Sequence, residues 1–295
     1  MRFASYRQGE AVSYGLVDET GVLDLPKAAG RDVPADLLGL IAGGKPALDA
    51  ARAAASGGGA RVALSTLTLV APIPRPGKNV FCVGRNYKEH VAEGYRARGA
   101  ENKLPEYPQF FTKPPTAVIG PDAPFYHDPH VTRRLDYEVE LALVIGTAGR
   151  DIPRARAMDH VFGFTVLNDI TGRDLQRRHD QWFKGKGLDR SCPMGPMLVT
   201  PDEITDLGGL ELICRVNGEE RQRSTVSQMI FDIAEIIAQL SAGLTLEPGD
   251  IIATGTPSGV GYAMDPPRYL VAGDVVECSI EGIGMLRTPI EEHRP

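Results

Sequence analysis

The sequence lacks the features that mark membrane, secreted and nucleic-acid-binding proteins. No apolar run approaches the roughly 18 residues that span a bilayer, and the N-terminal residues lack the apolar core of a signal peptide. The four cysteines are far apart and form no CxxC pair, which argues against a disulfide scaffold and a thiolate metal site. The net charge of −6 argues against nucleic acid and anionic membranes as partners, because positive charge has to meet phosphate. We therefore expect a soluble, cytoplasmic protein.

The sequence is rich instead in turn-forming residues. Its 33 glycines and 23 prolines predict many turns between short strands. Three short strands are predicted near the N-terminus, followed by an Ala- and Leu-rich helix over 37–55 that breaks at paired glycines, and by a strand over 62–70. A connector that begins at Pro72 is stiff because proline restricts φ. The predicted domains are a small β-rich unit over 1–72 and a larger domain over 73–295.

Longer elements are predicted in the larger domain. Apolar runs predict buried strands over 137–145 and 161–167. Apolar residues at helical spacing predict an amphipathic helix over 226–240, with a capping box at Thr225. The polar, aperiodic segment 94–108 is predicted to be a mobile lid. The whole pattern indicates an α+β fold dominated by sheet.

An acidic motif lies at the start of the strand predicted over 137–145. Glu138 and Glu140 point to the same face of a strand because side chains alternate. Two carboxylates side by side in a partly desolvated place repel, so either one takes up a proton or a cation neutralises both. Oxygen ligands favour a hard divalent cation, Mg²⁺ or Mn²⁺. Asp169, after the next strand, is a candidate third ligand and is equally consistent with a helix N-cap, while Asp174 competes with it.

Two further motifs contain candidate catalytic residues. His90 and Glu93 share a face of a helical turn, so the carboxylate can orient an imidazole that accepts a proton, although such surface pairs are more often inert. Lys186 lies near glycines and suits an anionic substrate or a developing enolate, with a solvated loop lysine as the alternative. The Gly-rich segment 253–261 lacks the lysine of a P-loop, which disfavours nucleotide binding. The His-Asp-Pro-His segment at 127–130 is interpreted as structural, because no zinc-type partners flank it.

Taken in order, the motifs of the larger domain resemble those of the fumarylacetoacetate hydrolase family. The resemblance extends from about Pro76 to the C-terminus and rests on GRNYKEH, FTKPPTAVIGP, DYEVELALVIG, NDITGRDLQ, KGLDRSCPMGPMLVT, VNGEERQRSTVSQMIF, LEPGDIIATGTPSGVG and AGDVVECSIEGIG. The N-terminal unit is similar to the extra domain of the longer bacterial members. The resemblance implies a catalytic domain built as a mixed β-sandwich roll and a homodimer. It also implies one divalent metal ion per subunit, Mg²⁺ or Mn²⁺ with Ca²⁺ as an alternative.

The same resemblance implies a role for each residue that matches a family motif. The implied set is the metal ligands Glu138, Glu140 and Asp169, the water-activating pair His90 and Glu93, Lys186 near the reacting carbonyl, and the substrate contacts Arg173, Gln176, Thr256 and Lys113. The implied partner is a small 2-oxo acid, which can offer two oxygens to the metal.

The implied reaction is the hydrolysis of a C–C bond in a 2,4-dioxo acid, such as an acylpyruvate or fumarylpyruvate. Water activated by His90 and Glu93 attacks the substrate, and the metal stabilises the resulting enolate. The first alternative is an isomerase or decarboxylase of a 2-oxo diacid of the 2-hydroxyhepta-2,4-diene-1,7-dioate or oxaloacetate type, and the second is ureidoglycolate lyase. The hydrolase is preferred because the predicted lid follows the His–Glu pair. A non-enzymatic, metal-stabilised binding protein is disfavoured because none of the acids, the histidine or the lysine is missing.

Overall fold

The computed structural model describes residues 1–97 and 99–293. The strands of this part of the chain are β1 (Arg2–Gln8), β2 (Ala11–Asp18), β3 (Gly21–Asp24), β4 (Arg61–Val62), β5 (Leu69–Val70), β6 (Val80–Gly84), β7 (Gln109–Lys113), β8 (Val118–Ile119), β9 (Phe125–His127), β10 (Leu135–Asp136), β11 (Val139–Ile145), β12 (Val161–Asn168), β13 (Thr171–Gly172), β14 (Cys192–Val199), β15 (Glu211–Val216), β16 (Glu219–Thr225), β17 (Ile251–Ala253), β18 (Val275–Ile280) and β19 (Gly284–Glu292). The helices are α1 (Leu25–Ala29), α2 (Leu37–Ala42), α3 (Gly44–Ser56), α4 (Lys88–Arg96), α5 (Arg173–Arg178), α6 (Phe183–Lys186) and α7 (Ile233–Ser241).

Two mixed sheets form the frame of the molecule. The larger has 12 strands in the order β4-β3-β2-β1-β14-β12-β11-β17-β6-β7, with β5 beside β1 and β8 beside β14. The smaller has 5 strands in the order β16-β15-β18-β19-β9, and β10 pairs separately with β13. This sheet-dominated α+β architecture confirms the predicted fold class.

Strand β11 lies within the large sheet and is buried along its whole length. Leu141 and Leu143 belong to the core cluster shared with the five-stranded sheet and α7. Ala142 and Val144 belong to the second cluster, shared with the N-terminal strands and helices. The alternation follows from the geometry of a strand, in which successive side chains point to opposite faces. Glu140 continues the second series toward the beginning of the strand.

The N-terminal strands extend the large sheet across the predicted domain boundary. Strand β1 pairs with β2 and also with β14, where Arg2 lies opposite Val199 and Phe3 opposite Leu198. The Phe3 ring centroid lies 5.8 Å from that of Phe162. The two predicted domains therefore share a sheet and a core, and the boundary between them stays a prediction.

Residues 62–70 differ from the single strand predicted for them. Arg61–Val62 and Leu69–Val70 are separate short strands, with a 3-10 turn over Leu64–Thr66 between them. The two strands pair with different partners, β3 and β1. This division explains why one continuous strand does not form.

The amphipathic helix begins later than predicted. Helix α7 begins at Ile233, and the Asp232 carboxylate caps it by accepting a hydrogen bond from the Glu235 N–H at 2.8 Å. The chain ahead of it is held elsewhere, because the Ile230 N–H donates to the Asn86 carbonyl at 2.7 Å. The predicted capping box at Thr225 is therefore wrong, since a contact distant in sequence keeps the segment before Asp232 out of the helix.

The segment predicted to be a lid begins as helix. Helix α4 extends to Arg96, so the first residues of the segment 94–108 are its last turn. Position 98 lies outside the described residues, and closure of this segment over a substrate stays a prediction. The four cysteines are buried and free. Within the described residues, no helix combines the length and the apolar character that crossing a membrane requires.

Candidate metal centre and active site

Three buried carboxylates gather where β11 begins and β12 ends. Asp169 follows β12, and its N–H donates to the Glu138 carbonyl at 2.9 Å, which places the two residues side by side. One side-chain oxygen from each of Glu138, Glu140 and Asp169 lies within 4.8 Å of the others. Asp174 lies apart and accepts hydrogen bonds from the Thr132 hydroxyl and the Arg133 N–H. The structure thus brings the three predicted metal ligands together and separates them from their competitor.

Three buried cations surround two of these carboxylates. Lys186 Nζ donates to Glu138 at 2.7 Å and to Asp169 at 2.6 Å. Lys113 Nζ donates to the other Asp169 oxygen at 2.6 Å, and the Arg173 guanidinium lies 2.6 Å from Glu138. Burial favours the neutral form of Glu138, but Lys186 and Arg173 outweigh it and hold the pKa of Glu138 far below its usual range. Glu138 therefore remains ionised.

Glu140 is the least compensated carboxylate of the cluster. Its carboxylate accepts a hydrogen bond from the Gly255 N–H at 2.8 Å, and it forms no ion pair within the part of the chain that the structure describes. Burial, together with the charges of Asp169 and Glu138, raises the pKa of Glu140 well above its usual value. A divalent cation bound by these oxygens would remove the repulsion. The oxygen donors suit Mg²⁺ or Mn²⁺, so the residues fit the implied metal.

A glycine-dependent loop positions the N–H that reaches Glu140. Gly255 has φ +102°, and a Cβ built there would lie 2.8 Å from the Asn86 Cβ. Asn86 is fully buried and donates to the Thr254 carbonyl at 2.8 Å. Only glycine fits this conformation and this close approach. Residues next to β6 thus hold the loop after β17 against the acid cluster, which consists of Glu138, Glu140 and Asp169.

His90 and Glu93 form a hydrogen-bonded pair on α4. His90 Nδ1 lies 2.8 Å from a Glu93 oxygen, and the other Glu93 oxygen accepts the Gly259 N–H at 2.8 Å. Both side chains are nearly buried, with exposures of 9% and 8%. Because Nδ1 is engaged, Nε2 is the nitrogen left for a ligand. A carboxylate that orients an imidazole in this way suits the imidazole to accept a proton.

A cavity of about 340 Å³ connects these groups. The predicted site residues on its wall are His90, Glu138, Glu140, Arg173, Gln176, Lys186 and Thr256. Glu93, Asp169 and Lys113 lie behind that wall and contact its residues His90 and Lys186. The structure therefore brings the predicted residues together around one polar cavity, while their individual roles stay predictions.

Lys113 is held by the protein itself. Its side chain is fully buried, and Nζ donates to Asp169, to the Ile170 carbonyl at 3.1 Å and to the Lys186 carbonyl at 2.5 Å. An ammonium group has three donors, and all three are used. Lys113 thus supports Asp169 and Lys186 from behind, and a direct substrate contact stays a prediction.

Asp136 was not among the predicted site residues, although it supports several of them. It is fully buried and accepts hydrogen bonds from Arg173 Nε at 2.9 Å and from the N–H groups of Gly261 at 2.8 Å and Tyr262 at 3.1 Å. Arg173 in turn donates to the Gln176 side chain at 3.2 Å. The position of Asp136 at the head of the acidic motif was the available signal, but its partners are distant in sequence.

Comparison with known proteins gives consistent matches over nearly the whole chain. A family model described as "Fumarylacetoacetate (FAA) hydrolase C-terminal" matches residues 79–291. The chain is 44% identical over 304 residues to oxaloacetate tautomerase YisK of Bacillus subtilis (strain 168), in an alignment that covers 98% of this chain and 100% of the relative.

Solved structures agree with these matches. The fumarylacetoacetate hydrolase of Exiguobacterium antarcticum superposes with a TM-score of 0.81 at 38% identity, covering 99% of this chain and 100% of that one. The maleylpyruvate hydrolase of Sphingobium sp. SYK-6, in complex with manganese(II) and pyruvate, gives a TM-score of 0.79 at 30% identity, with both chains covered completely.

Proposed function

Because the chain belongs to the fumarylacetoacetate hydrolase family, as its sequence motifs predict, we propose that it is a divalent-metal-dependent isomerase that interconverts the keto and enol forms of a short 2-oxo diacid of the oxaloacetate class. The observation that carries this proposal is the 44% identity along the whole chain to an oxaloacetate tautomerase. This identity favours the isomerase, which the sequence motifs left open as an alternative, over the hydrolase, which they suggested first.

Glu138, Glu140 and Asp169 are the residues that would hold Mg²⁺ or Mn²⁺. When bound, the ion supplies a Lewis acid for the 2-keto oxygen, which makes the neighbouring carbon more acidic. The cluster is suited to this because its three carboxylates are buried and gathered within 4.8 Å. Lys186, between Glu138 and Asp169, adds a fixed positive charge near the oxygen that becomes negative.

His90 is the proposed proton carrier. Tautomerisation moves one proton from carbon 3 to the 2-keto oxygen, and no other bond breaks. Glu93 holds Nδ1, so neutral His90 presents an unprotonated Nε2 that can accept the proton and return it. Gln176 and Thr256, which lie on the cavity wall, are the residues proposed to orient the substrate.

Hydrolysis of a 2,4-dioxo acid is the second candidate. The maleylpyruvate hydrolase named above has a similar fold, and the same His90–Glu93 pair would activate water instead of a carbon acid. The two reactions differ in whether water reaches the substrate next to His90.

The deciding experiment compares the two reactions in one preparation. Metal-loaded protein is given oxaloacetate prepared as the enol and a panel of acylpyruvates. The ultraviolet absorbance of the enol follows tautomerisation, while pyruvate released from the acylpyruvates follows hydrolytic cleavage. We expect rapid relaxation of the enol without pyruvate release. Relaxation at the spontaneous rate, together with efficient cleavage of an acylpyruvate, would replace the isomerase by the hydrolase.

Replacing His90 by alanine tests the proton carrier. Positioned acid–base catalysis contributes about 10²–10⁴-fold, so His90→Ala should lower kcat by about that factor. His130→Ala, at an exposed histidine in a loop, is the matched control and should leave kcat unchanged. If His90→Ala keeps wild-type turnover, another group moves the proton.

The homodimer and the cytoplasmic location stay predictions.

A further inference from the structure

We propose that Arg85 recognises the second carboxylate of a 2-oxo diacid and makes this site selective for diacids over monoacids. The inference rests on the proposed function for the class of substrate, and it assigns the residue that distinguishes that class. Arg85 directly follows β6 and lines the same cavity as His90 and Lys186.

The cations of the cavity wall differ in whether their charge is already compensated. Lys186 and Arg173 are buried and paired with carboxylates of the acid cluster or with Asp136. Arg85 is only half-buried, and it forms no ion pair with any acidic residue in ranges 1–97 and 99–293. A diacid has a second negative charge, which a metal ion bound by the acid cluster would not neutralise. Among the described residues of the cavity wall, Arg85 is the partly buried cation that remains for it, since Arg177 is exposed.

The surroundings of Arg85 hold its guanidinium in place without neutralising its charge. Its Cζ lies 5.8 Å from the ring centroids of both Tyr95 and Trp182. The Trp182 ring in turn packs edge-on against Phe111, with centroids 5.6 Å apart. Cation–π contacts of this kind fix a guanidinium and leave its N–H groups able to bind a carboxylate in the ring-like, bidentate manner. The site is therefore preorganised for a planar anion.

The backbone next to Arg85 is shaped for this arrangement. Arg85 itself has φ +57°, in the left-handed region that a non-glycine residue rarely adopts. At Gly84 a Cβ would lie 2.3 Å from the Trp182 ring, so glycine is required for the ring to pack there. Backbone strain of this kind persists where the surrounding structure enforces it, and it clusters at ligand sites. Both features serve to place Arg85 and Trp182 together at the cavity.

The test measures binding of two ligands that differ only at the far end. 2-Oxoglutarate and 2-oxovalerate share the 2-oxo carboxylate, but a methyl group replaces the second carboxylate in the latter. Titration calorimetry on Mg²⁺-loaded protein should show a tighter Kd for 2-oxoglutarate by about 10- to 100-fold, the range expected for a charged hydrogen-bonded pair. Arg85→Met should abolish this preference and leave the Kd of 2-oxovalerate unchanged.

Two further variants separate the proposal from its rivals. Arg177→Met removes an exposed cation from the same cavity wall and should keep the preference. Arg85→Lys keeps the charge but loses the planar fork, and should retain part of it. The proposal is overturned if Arg85→Met weakens both ligands equally, if it weakens neither, or if Arg177→Met causes the loss. Should Arg85→Met fail to fold, Arg85→Lys with an undiminished preference overturns it too.

The outcome for the reaction is read separately from the binding result. If wild-type protein prefers the diacid through Arg85 but leaves the oxaloacetate enol at its spontaneous rate, the selectivity stands and the isomerase proposal fails. If it tautomerises oxaloacetate but Arg85→Met does so with unchanged KM, the isomerase stands and the assignment of Arg85 fails.

Discussion

Two buried carboxylates stand at opposite ends of the motif DYEVE, and the protein compensates them differently. Asp136 accepts hydrogen bonds from Arg173 and from two backbone N–H groups of the loop after β17. Burial raises the pKa of Asp136, and Arg173 opposes this effect. Its charge is matched by permanent partners of the protein.

Glu140 has the opposite environment. It is equally buried, accepts the Gly255 N–H and has two further carboxylates beside it, and it forms no ion pair with a described residue. Burial and these like charges raise its pKa well above the usual value. The difference shows that a buried acid can be structural when the protein supplies its counter-charge, and chemical when the counter-charge has to come from outside.

The largest expected effect is the loss of activity when Glu140 is changed. Glu140→Gln removes one of the three carboxylates while keeping size and shape, and the isomerase rate should fall by at least about 10³-fold, since a Lewis acid contributes several kcal/mol. With chelator present, its free energy of unfolding should stay within about 1 kcal/mol of wild type, because glutamine matches the neutral form of Glu140 that burial and the neighbouring charges favour. The measurements are enol relaxation with added Mg²⁺ and urea unfolding. A variant with full activity would show that Glu140 is not a ligand.

The corresponding change at Asp136 should act on stability first. Asp136→Ala leaves Arg173 with one partner fewer and frees three backbone N–H groups, so it should lower the free energy of unfolding by about 3–5 kcal/mol. Urea unfolding with chelator present checks this against Glu140→Gln. Equal losses at the two positions would contradict the distinction between a structural and a chemical carboxylate.

The contrast also shows which features of the site could be predicted from the sequence. The alternation of a strand predicts that Glu138 and Glu140 share a face, and the end of the next apolar run predicts an acid nearby. Both patterns are local, and the structure gathers these residues with Asp169. The sheet-dominated fold class was predictable for the same reason, because it depends on short apolar segments and turns.

Pairings between distant residues could not be predicted in this way. The motif assigns Arg173 to substrate, yet its guanidinium pairs with Asp136 and Glu138, which depends on β10 lying beside β13. Lys113, at the end of β7, reaches Asp169 although β6, β17 and β11 lie between β7 and β12 in the sheet. Strand order is a property of the whole chain, so no local pattern contains it.

A smaller effect concerns the pH dependence of metal affinity. The raised pKa of Glu140 means that the metal-free protein holds a proton there below that pKa, and the cation binds only after the proton leaves. Affinity should therefore rise with pH, by at most about tenfold per unit for one proton, and level off above the pKa. Glu138, with its lowered pKa, is already ionised where Glu140 loses its proton, so it should add nothing to this pH dependence. Calorimetry in buffers of different ionisation enthalpy measures the released proton, and Glu140→Gln should release none.

The smallest effect sets the scale for an ordinary carboxylate. Asp232 is exposed, caps α7 through the Glu235 N–H and contacts Arg154, so its charge is needed neither in the core nor at the site. Asp232→Ala should cost about 1 kcal/mol of stability through the lost cap, and Asp232→Asn less, because asparagine also caps helices. Metal affinity and enol relaxation should be unchanged in both variants. A loss at Asp232 as large as that at Asp136 would mean that burial does not distinguish these carboxylates, and the comparison would lose its physical basis.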